Sequence, residues 1–215
     1  WVVKIMNKKN INIMLGGVFP KEFPSSNLWC GVDKGALYLL NNGINPILSC
    51  GDFDSITPEQ RKEVEEKSKY FKVKSSEDLT DAEFALEHIL ELFEEVEVID
   101  IYGATGRRLD HFFGNILLLN NKKYQHIKIR IIDDNNIITV AKKGLTIFEN
   151  IVGYKYFSIV PIYEDTLMTI KNSKYEVKDL MLTLNRPNAT SNEFKSNEEI
   201  KLEVSNNVLV LYSKD

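Results

Sequence analysis

The chain has 215 residues, of which 43% are hydrophobic and 27% are charged, and its formal net charge is −4. This composition is typical of a globular protein with one large domain or two small ones. The negative net charge argues against a nucleic-acid-binding protein, which usually carries a basic face. The longest apolar runs are too short to cross a bilayer, so we expect no membrane partner.

The first residues and the two cysteines indicate the cellular compartment of the protein. Residues 1–5 lack the hydrophobic region and cleavage site of a signal peptide, and Met6 is a candidate initiator. Cys30 and Cys50 lie in apolar segments and match no zinc or redox motif. We expect them to be buried, reduced thiols, which is typical of a reducing compartment. The expected location is the cytoplasm.

The first part of the chain alternates segments typical of strands with segments typical of helices. Apolar runs predict six strands, at 11–15, 28–32, 46–50, 70–74, 96–102 and 127–132. Helices are predicted over about 34–42, 57–68, 80–93 and 109–120. Two of them begin at capping boxes, with Thr57 and Gln60 in one and Thr80 and Glu83 in the other. This alternation predicts a mostly parallel sheet with helices on both faces.

After about Asp134 the pattern changes to short strands separated by turn residues. Seven strands are predicted, at 137–140, 156–160, 167–170, 175–177, 180–184, 200–204 and 208–212. The turn at 205–207 fits a tight hairpin, whereas the run 191–194 is typical of a polar loop. We therefore predict an N-terminal mostly parallel α/β sheet domain over 1–134, followed by a C-terminal all-β sandwich over 135–215.

Acidic residues follow three of the predicted strands, in the runs 51–55, 78–81 and 103–111. The carboxyl ends of parallel strands form one edge of a sheet, where ligands bind, so we expect these acids to converge. In an extended backbone Asp52 and Asp54 would share one face. Crowded carboxylates need a cation, and Mg²⁺ prefers oxygen ligands. Turn formation alone could explain the first run, and the helix dipole could explain Asp81.

The third run combines glycines with arginines. Gly103 and Gly106 lie between a strand and a helix, where backbone N–H groups can approach a phosphate closely. The run matches neither the dinucleotide fingerprint nor the lysine-containing phosphate loop. Arg107 and Arg108 can bind phosphate through planar guanidinium groups. Asp33 lies at the same expected edge, either as a site residue or as a helix cap. Together these runs indicate a Mg²⁺-nucleotide site.

Taken in order, five segments resemble the thiamine pyrophosphokinase family: 32–36, 51–55, 78–81, 103–115 and 191–193. The resemblance implies transfer of the diphosphoryl group of ATP to the hydroxyl of thiamine, which gives thiamine diphosphate and AMP and requires Mg²⁺. It also implies a nucleotide-binding catalytic domain over 1–134 and a thiamine-binding and dimerisation domain over 135–215. Thiamine would bind where the two subunits of a homodimer meet.

The same resemblance assigns roles to individual residues. Catalysis and Mg²⁺ binding fall to Asp52, Asp54 and Asp81. ATP would contact Asp33, Gly103, Thr105, Gly106, Arg108, Asp110 and His111. Thiamine would contact Asp78, Thr80, Ser191 and Asn192. The chain departs from the family pattern at Arg107, where a glycine is common, at Glu77, where a lysine is frequent, and over 180–184, which lacks an aromatic residue.

The residues by themselves leave two other functions open. The same acids could serve a Mg²⁺-dependent nucleotide hydrolase that uses water as its nucleophile. Alternatively, the chain could be a non-catalytic nucleotide sensor whose β-sandwich binds a partner.

Overall fold

A computed structural model of the chain describes residues 10–25, 28–76, 78–195 and 198–215. The candidate initiator Met6 and the departure at Glu77 therefore lie outside the described residues. The chain divides into two compact units, one ending at Asp134 and the other running from Asn135 to Asp215. No helix in the described ranges is long and apolar enough to cross a membrane.

The first unit is built on a parallel sheet. Its strands are β1 (Asn10–Met14), β2 (Leu28–Val32), β3 (Leu48–Gly51), β4 (Tyr70–Val73), β5 (Val98–Tyr102) and β6 (Lys128–Ile132). They pair in the order β6-β5-β1-β2-β3-β4, and every neighbouring pair is parallel. The helices are α1 (Lys34–Asn41), α2 (Pro58–Lys67), α3 (Asp81–Leu92) and α4 (Leu109–Leu118). The predicted parallel α/β architecture is confirmed.

Two helices begin where their capping boxes predict. The side chain of Thr57 accepts a hydrogen bond from the backbone N–H of Gln60, whose side chain accepts one from Thr57 in return. Thr80 and Glu83 exchange the same pair of bonds at the start of α3. The apolar face of α3 is buried, and the helix packs against β2 and β3. This packing brings the first residue of α3, Asp81, towards the end of β3.

The second unit is an antiparallel β-sandwich, as predicted. Its strands are β7 (Asn136–Ala141), β8 (Gly144–Phe148), β9 (Tyr156–Pro161), β10 (Thr166–Lys171), β11 (Val177–Leu182), β12 (Asn192–Glu193), β13 (Ile200–Val204) and β14 (Val208–Ser213). One sheet has the order β12-β9-β14-β7 and the other β11-β10-β13-β8. Side chains from both sheets meet between them, where the Phe148 ring of β8 lies 5.2 Å from the Phe157 ring of β9.

Several strand predictions in this unit were wrong. The predicted segments 175–177 and 180–184 form the single strand β11. Strand β8 was not predicted, because two of its three apolar side chains, Leu145 and Ile147, are 64% and 51% exposed, so apolar residues do not mark its buried face. The run expected to be a polar loop contains the short strand β12, in which Asn192 is buried.

The turn at 205–207 is not a hairpin. Strand β13 pairs with β10 and β8, whereas β14 pairs with β7 and β9, so this turn crosses from one sheet to the other. The reason lies at Ser205, whose backbone N–H donates to the carbonyl of Leu167 at 2.9 Å. Its hydroxyl accepts from the Leu167 N–H, also at 2.9 Å. These bonds tie the end of β13 to β10 instead of to β14.

The two cysteines are buried and form no disulfide, as expected. They lie on the adjacent strands β2 and β3, and their sulfur atoms are 3.9 Å apart. The contact with Cys30, together with burial, raises the pKa of the Cys50 thiol. Cys50 is therefore a neutral thiol at physiological pH, which makes it a poor nucleophile.

Candidate active site

Asp33 follows β2 and points towards the end of the neighbouring strand β3. Its carboxylate accepts a hydrogen bond of 2.9 Å from the backbone N–H of Phe53. It makes no side-chain cap on α1, although it occupies the N-cap position. The interpretation of Asp33 as a side-chain cap of α1 is therefore wrong, and its carboxylate instead holds the turn after β3.

The run from Gly51 to Asp54 turns sharply at the end of β3. A Cβ atom on Gly51 would lie 2.0 Å from Oδ1 of Asp33, so any other residue here would displace that carboxylate. Phe53 is buried with φ of 60°, and Asp54 N–H donates to Oδ1 of Asp52 at 3.0 Å. The backbone is not extended, and the expectation that Asp52 and Asp54 share a strand face is wrong.

Three acidic side chains act on the carboxylate of Asp33 at this edge. Burial raises the pKa of Asp33 to about 6, the N–H of Phe53 opposes the rise, and the negative charges of Asp81, Asp52 and Asp54 add to it. The acids from three separate segments therefore share one electrostatic environment. Within the described ranges, no three acidic, histidine or cysteine side chains are grouped closely enough to hold a metal ion by themselves.

Asp81 is held by a lysine that the sequence did not single out. The ammonium of Lys74 lies 2.6 Å from Oδ1 of Asp81, and the lysine side chain is only 7% exposed. The contact is an ion pair without hydrogen-bond geometry. Among the described residues, the buried Oδ1 atom of Asp81 accepts no hydrogen bond. Lys74 follows β4, and its backbone N–H donates to the carbonyl of Gly51. The charge of Asp81 is thus partly balanced at the end of β3.

Asp78 and Thr80 are exposed, and each forms hydrogen bonds with residues close to it in sequence. The carboxylate of Asp78 accepts a hydrogen bond of 2.5 Å from the hydroxyl of Ser76. Thr80 caps α3 with Glu83. Neither contact points to a ligand, and both side chains remain accessible to one.

The glycine run after β5 packs against the segment after β1. Backbone N–H groups of Leu15, Gly17 and Val18 donate to the carbonyls of Tyr102, Gly103 and Thr105, at 2.8, 2.8 and 3.0 Å. Gly103 has φ of 66°, and a Cβ atom there would lie 2.3 Å from the carbonyl oxygen of Leu15. The two segments therefore meet backbone against backbone, and a side chain at Gly103 would separate them.

Arg108 and Asp110 form a bidentate ion pair at the start of α4. Nε of Arg108 lies 3.1 Å from Oδ1 of Asp110, and Nη2 lies 2.5 Å from Oδ2. The hydrogen bonds from Arg108 lower the pKa of Asp110 to about 2. Both side chains are exposed, as is His111. Asn115 ties α4 to the preceding loop by donating to the carbonyl of Ala104.

In the second unit, Ser191 is exposed and Asn192 is buried. Ser191 has φ of 60°, and its backbone N–H donates to the hydroxyl of Ser158. The side-chain oxygen of Asn192 accepts from the N–H groups of Tyr175 and Glu193. Its amide nitrogen donates to the Ser173 hydroxyl and the Tyr175 carbonyl. Asn192 is thus fully used in holding the fold.

Comparison with known proteins identifies the family. Residues 19–131 match the model "Thiamin pyrophosphokinase, catalytic domain", and residues 144–209 match "Thiamin pyrophosphokinase, vitamin B1 binding domain". The chain belongs to the thiamin pyrophosphokinase family. Members of this family transfer the diphosphoryl group of ATP to thiamine, and the chain is an enzyme of this kind, a thiamine diphosphokinase with ATP and thiamine as substrates.

Individual relatives agree with this family over nearly the whole chain. A thiamine pyrophosphokinase of Bacillus subtilis (strain 168) is 38% identical over 195 residues, which cover 86% of this chain and 89% of that protein. A crystal structure of the thiamine pyrophosphokinase from Bacillus subtilis superposes with a TM-score of 0.85 at 34% identity, covering 96% of this chain and all of that one. A family protein from Enterococcus faecalis gives a TM-score of 0.85 at 28% identity, covering 97% of this chain and all of that one.

Proposed function

We propose that Mg²⁺-ATP binds at the carboxyl edge of the parallel sheet, with Asp52, Asp54 and Asp81 as the residues that hold Mg²⁺. The observation that carries this proposal is that the charges of Asp81, Asp52 and Asp54 all act on the carboxylate of Asp33 and contribute to its raised pKa. Carboxylate oxygens are the ligands that Mg²⁺ prefers. Mg²⁺ usually takes only one or two carboxylates and completes its shell with water and substrate phosphates, so a preformed cage is not required.

ATP would lie across the two loops that meet beyond β1 and β5. Gly103, Thr105 and Gly106 would offer close approach to the phosphates. The paired side chains of Arg108 and Asp110, together with His111, would meet the nucleotide from the start of α4. Asp33 would sit beneath the phosphates, where its raised pKa favours a shared proton or a nearby cation.

Thiamine would bind where the subunits of a homodimer meet, so that Ser191 and Asn192 of the sandwich face the thiamine of the partner's site, while Asp78 and Thr80 contact the thiamine of their own subunit. Ser191 is exposed and can touch a ligand, whereas Asn192 would act by holding Ser191 in place, since all its polar groups are already hydrogen-bonded. The first unit is then the nucleotide-binding catalytic domain, and the second is the thiamine-binding domain.

The reaction joins the hydroxyl oxygen of thiamine to the β-phosphorus of ATP while the bond to the α-phosphate oxygen breaks and AMP leaves. Such transfers depend on in-line positioning and on neutralising charge more than on covalent help. When bound, Mg²⁺ would supply that neutralisation on the phosphate oxygens. Asp81 would orient the hydroxyl and accept its proton, and Lys74 would fix the orientation of that carboxylate through the 2.6 Å contact.

The assay combines ATP, Mg²⁺ and thiamine and follows AMP. Release of AMP that requires thiamine supports the diphosphotransferase, release without thiamine supports a hydrolase, and binding without turnover supports a sensor. Asp81→Asn and Asp54→Asn should each lower turnover by orders of magnitude with the fold intact. Asp165→Asn, an exposed acid in the second unit, serves as the matched control. Near wild-type AMP release by either site variant would contradict the proposed roles.

A homodimer is proposed on the family resemblance and on one surface of α4. Leu109, Phe113 and Leu117 recur every four residues and are 68%, 62% and 71% exposed, so they form an apolar stripe. Exposed apolar patches of this kind mark association sites. Analytical ultracentrifugation should give a dimer for the wild type and a monomer for Leu117→Glu. Lys62→Glu, which places an acid at an exposed position of α2, is the control and should remain a dimer. A monomeric wild type would contradict the dimer, and a dimeric Leu117→Glu would contradict this contact.

We also propose a cytoplasmic location. The support is the use of ATP as substrate and the presence of two buried thiols that form no disulfide. Fractionation of cells that express the tagged chain would test it, and recovery outside the cytoplasmic fraction would contradict it.

A further inference from the structure

Among the described residues, two cations at the sheet edge are not held in ion pairs. Lys34 is the first residue of α1, and Arg107 directly follows Gly106. Within residues 10–25, 28–76, 78–195 and 198–215, neither side chain forms an ion pair with an acid. Arg108 differs, because its guanidinium makes two hydrogen bonds to the carboxylate of Asp110. Lys34 and Arg107 are therefore cations of this edge that no ion pair with a described acid holds, although Asp33 lies near enough to act on the charge of Lys34.

The loops bring these two cations together. The side chain of Lys34 runs alongside Gly16, since a Cβ atom on Gly16 would lie 2.9 Å from Cε and 3.2 Å from Cγ of the lysine. On its other side the same loop is bonded to the glycine run, through Gly17 N–H and the carbonyl of Gly103. Burial lowers the pKa of Lys34, the charge of Arg107 lowers it further, and the charge of Asp33 opposes both effects. Two like charges are thus held close enough to repel.

The backbone at Arg107 keeps this arrangement at a cost. Its φ is 58°, in the left-handed region, where a residue with a side chain is strained. Strained residues of this kind cluster at ligand-binding sites, where the strain fixes a side chain in its working position. The strain and the repulsion both disfavour the free protein, and a bound polyanion would offset the repulsion.

We propose that Lys34 and Arg107 together bind the phosphate chain of ATP and supply the net positive charge that its recognition needs. This inference rests on the proposed placement of the nucleotide at this edge. Lysine offers a compact charge that can reach several phosphate oxygens, and arginine offers a planar fork that binds two oxygens at once. The Arg108–Asp110 pair is neutral as a unit, so it contributes contacts without net charge.

The direct test is calorimetric binding of inorganic tripolyphosphate, without thiamine, to the wild type and to Lys34→Gln and Arg107→Asn. Asparagine tolerates positive φ, so the second variant removes the charge without a new backbone penalty. We expect each variant to raise the Kd roughly tenfold, as loss of one charge-assisted contact would. Arg107→Lys keeps the charge and should recover most of the affinity. Lys62→Gln, an exposed lysine on α2, should bind like the wild type.

The kinetic test separates this inference from the proposed function. In the thiamine-dependent release of AMP, Lys34→Gln and Arg107→Asn should raise the KM for ATP and leave the KM for thiamine unchanged. Tripolyphosphate affinities within twofold of the wild type in both variants would overturn the inference, even in an active enzyme. If the wild type releases no AMP but its tripolyphosphate binding depends on both residues, the proposed function fails and the phosphate-binding pair stands.

Discussion

The ammonium of Lys74 lies 2.6 Å from Oδ1 of Asp81, at the junction of β4 and α3. The two residues are far enough apart in sequence to belong to different elements, and the contact places a positive charge inside the acidic cluster. Lys74 therefore opposes any cation that approaches Asp81. At the same time it holds the carboxylate that we propose accepts the proton of thiamine.

We predict that Lys74→Met destabilises the protein and strengthens its response to Mg²⁺. The variant leaves a partly buried carboxylate without its partner, at a cost of about 1–3 kcal/mol in the free energy of unfolding. It also makes the cluster more negative, so thermal stabilisation by Mg²⁺ without nucleotide should reach its midpoint at a lower concentration. Melting curves over a Mg²⁺ series measure both effects.

Lys72→Met provides the control for that series, because Lys72 lies on the same strand and is exposed. It should change neither the melting temperature nor the Mg²⁺ midpoint. An unchanged or higher Mg²⁺ midpoint in Lys74→Met would show that Lys74 does not oppose the metal.

Asp33 should make stability depend on pH. Its pKa rises from 3.8 to about 6 on folding, so the folded protein binds more protons than the unfolded chain between these values. Stability is therefore lost as the pH rises through this window, by up to about 3 kcal/mol. Asp33→Asn keeps an oxygen acceptor for Phe53 N–H and carries no charge. In urea unfolding without Mg²⁺, its stability relative to the wild type should increase between pH 4 and pH 7.5.

The same experiment with Mg²⁺ supplies the control. A cation bound among the acids offsets their repulsion, so the advantage of Asp33→Asn at pH 7.5 should shrink. If the free energies of unfolding of Asp33→Asn and the wild type differed by the same amount at every pH, Asp33 would be ruled out as the titrating group.

The sequence predicted those features of the fold that depend on neighbouring residues. The capping boxes at Thr57 and Thr80 involve residues three apart, and both form as expected. Alternating strands and helices were enough to predict the parallel sheet, because parallel strands need long crossovers. The convergence of Asp33, Asp52 and Asp81 also followed from the common edge at which parallel strands end.

Contacts that depend on strand order could not be predicted. The hydrogen bond from Phe53 to Asp33 requires β2 and β3 to be neighbours, and the Lys74–Asp81 pair requires β4 to lie beside β3. Likewise, the turn after β13 resembles a hairpin turn, but the bonds of Ser205 to Leu167 tie it to β10 before the chain crosses to the other sheet. Such pairings are set by the whole fold, which no local pattern records.

Three glycine variants should separate backbone strain from close packing. Gly114→Ala lies in α4 with nothing within 4 Å of the new Cβ, and it should stabilise the protein by about 0.5–1 kcal/mol. Gly43→Ala also meets open space but has φ of 75°, so it should cost about 1–2 kcal/mol. Gly103→Ala combines φ of 66° with a backbone oxygen at 2.3 Å and should cost the most, about 3 kcal/mol.

Urea unfolding of the three proteins measures this order, and the KM for ATP adds a functional reading. Only Gly103→Ala should raise the KM, because only its Cβ separates the loops after β1 and β5. If Gly103→Ala proved no less stable than Gly43→Ala, the close approach of these loops would be disproved.

Ser191 and Asn192 are adjacent, but truncation to alanine should affect stability at Asn192 and thiamine binding at Ser191. Asn192→Ala removes the acceptor of the Tyr175 N–H and one donor to the Tyr175 carbonyl, which keeps its bond from the Ser173 hydroxyl. This loss should lower the free energy of unfolding by about 1–3 kcal/mol. Ser191→Ala keeps its backbone bond to Ser158 and should change stability by less than about 0.5 kcal/mol, while raising the KM for thiamine. Urea unfolding and initial rates over a thiamine series give both quantities. A stable Asn192→Ala with only a raised KM for thiamine would mean that Asn192 contacts the substrate itself, because a residue that holds the fold cannot be lost without a cost in stability.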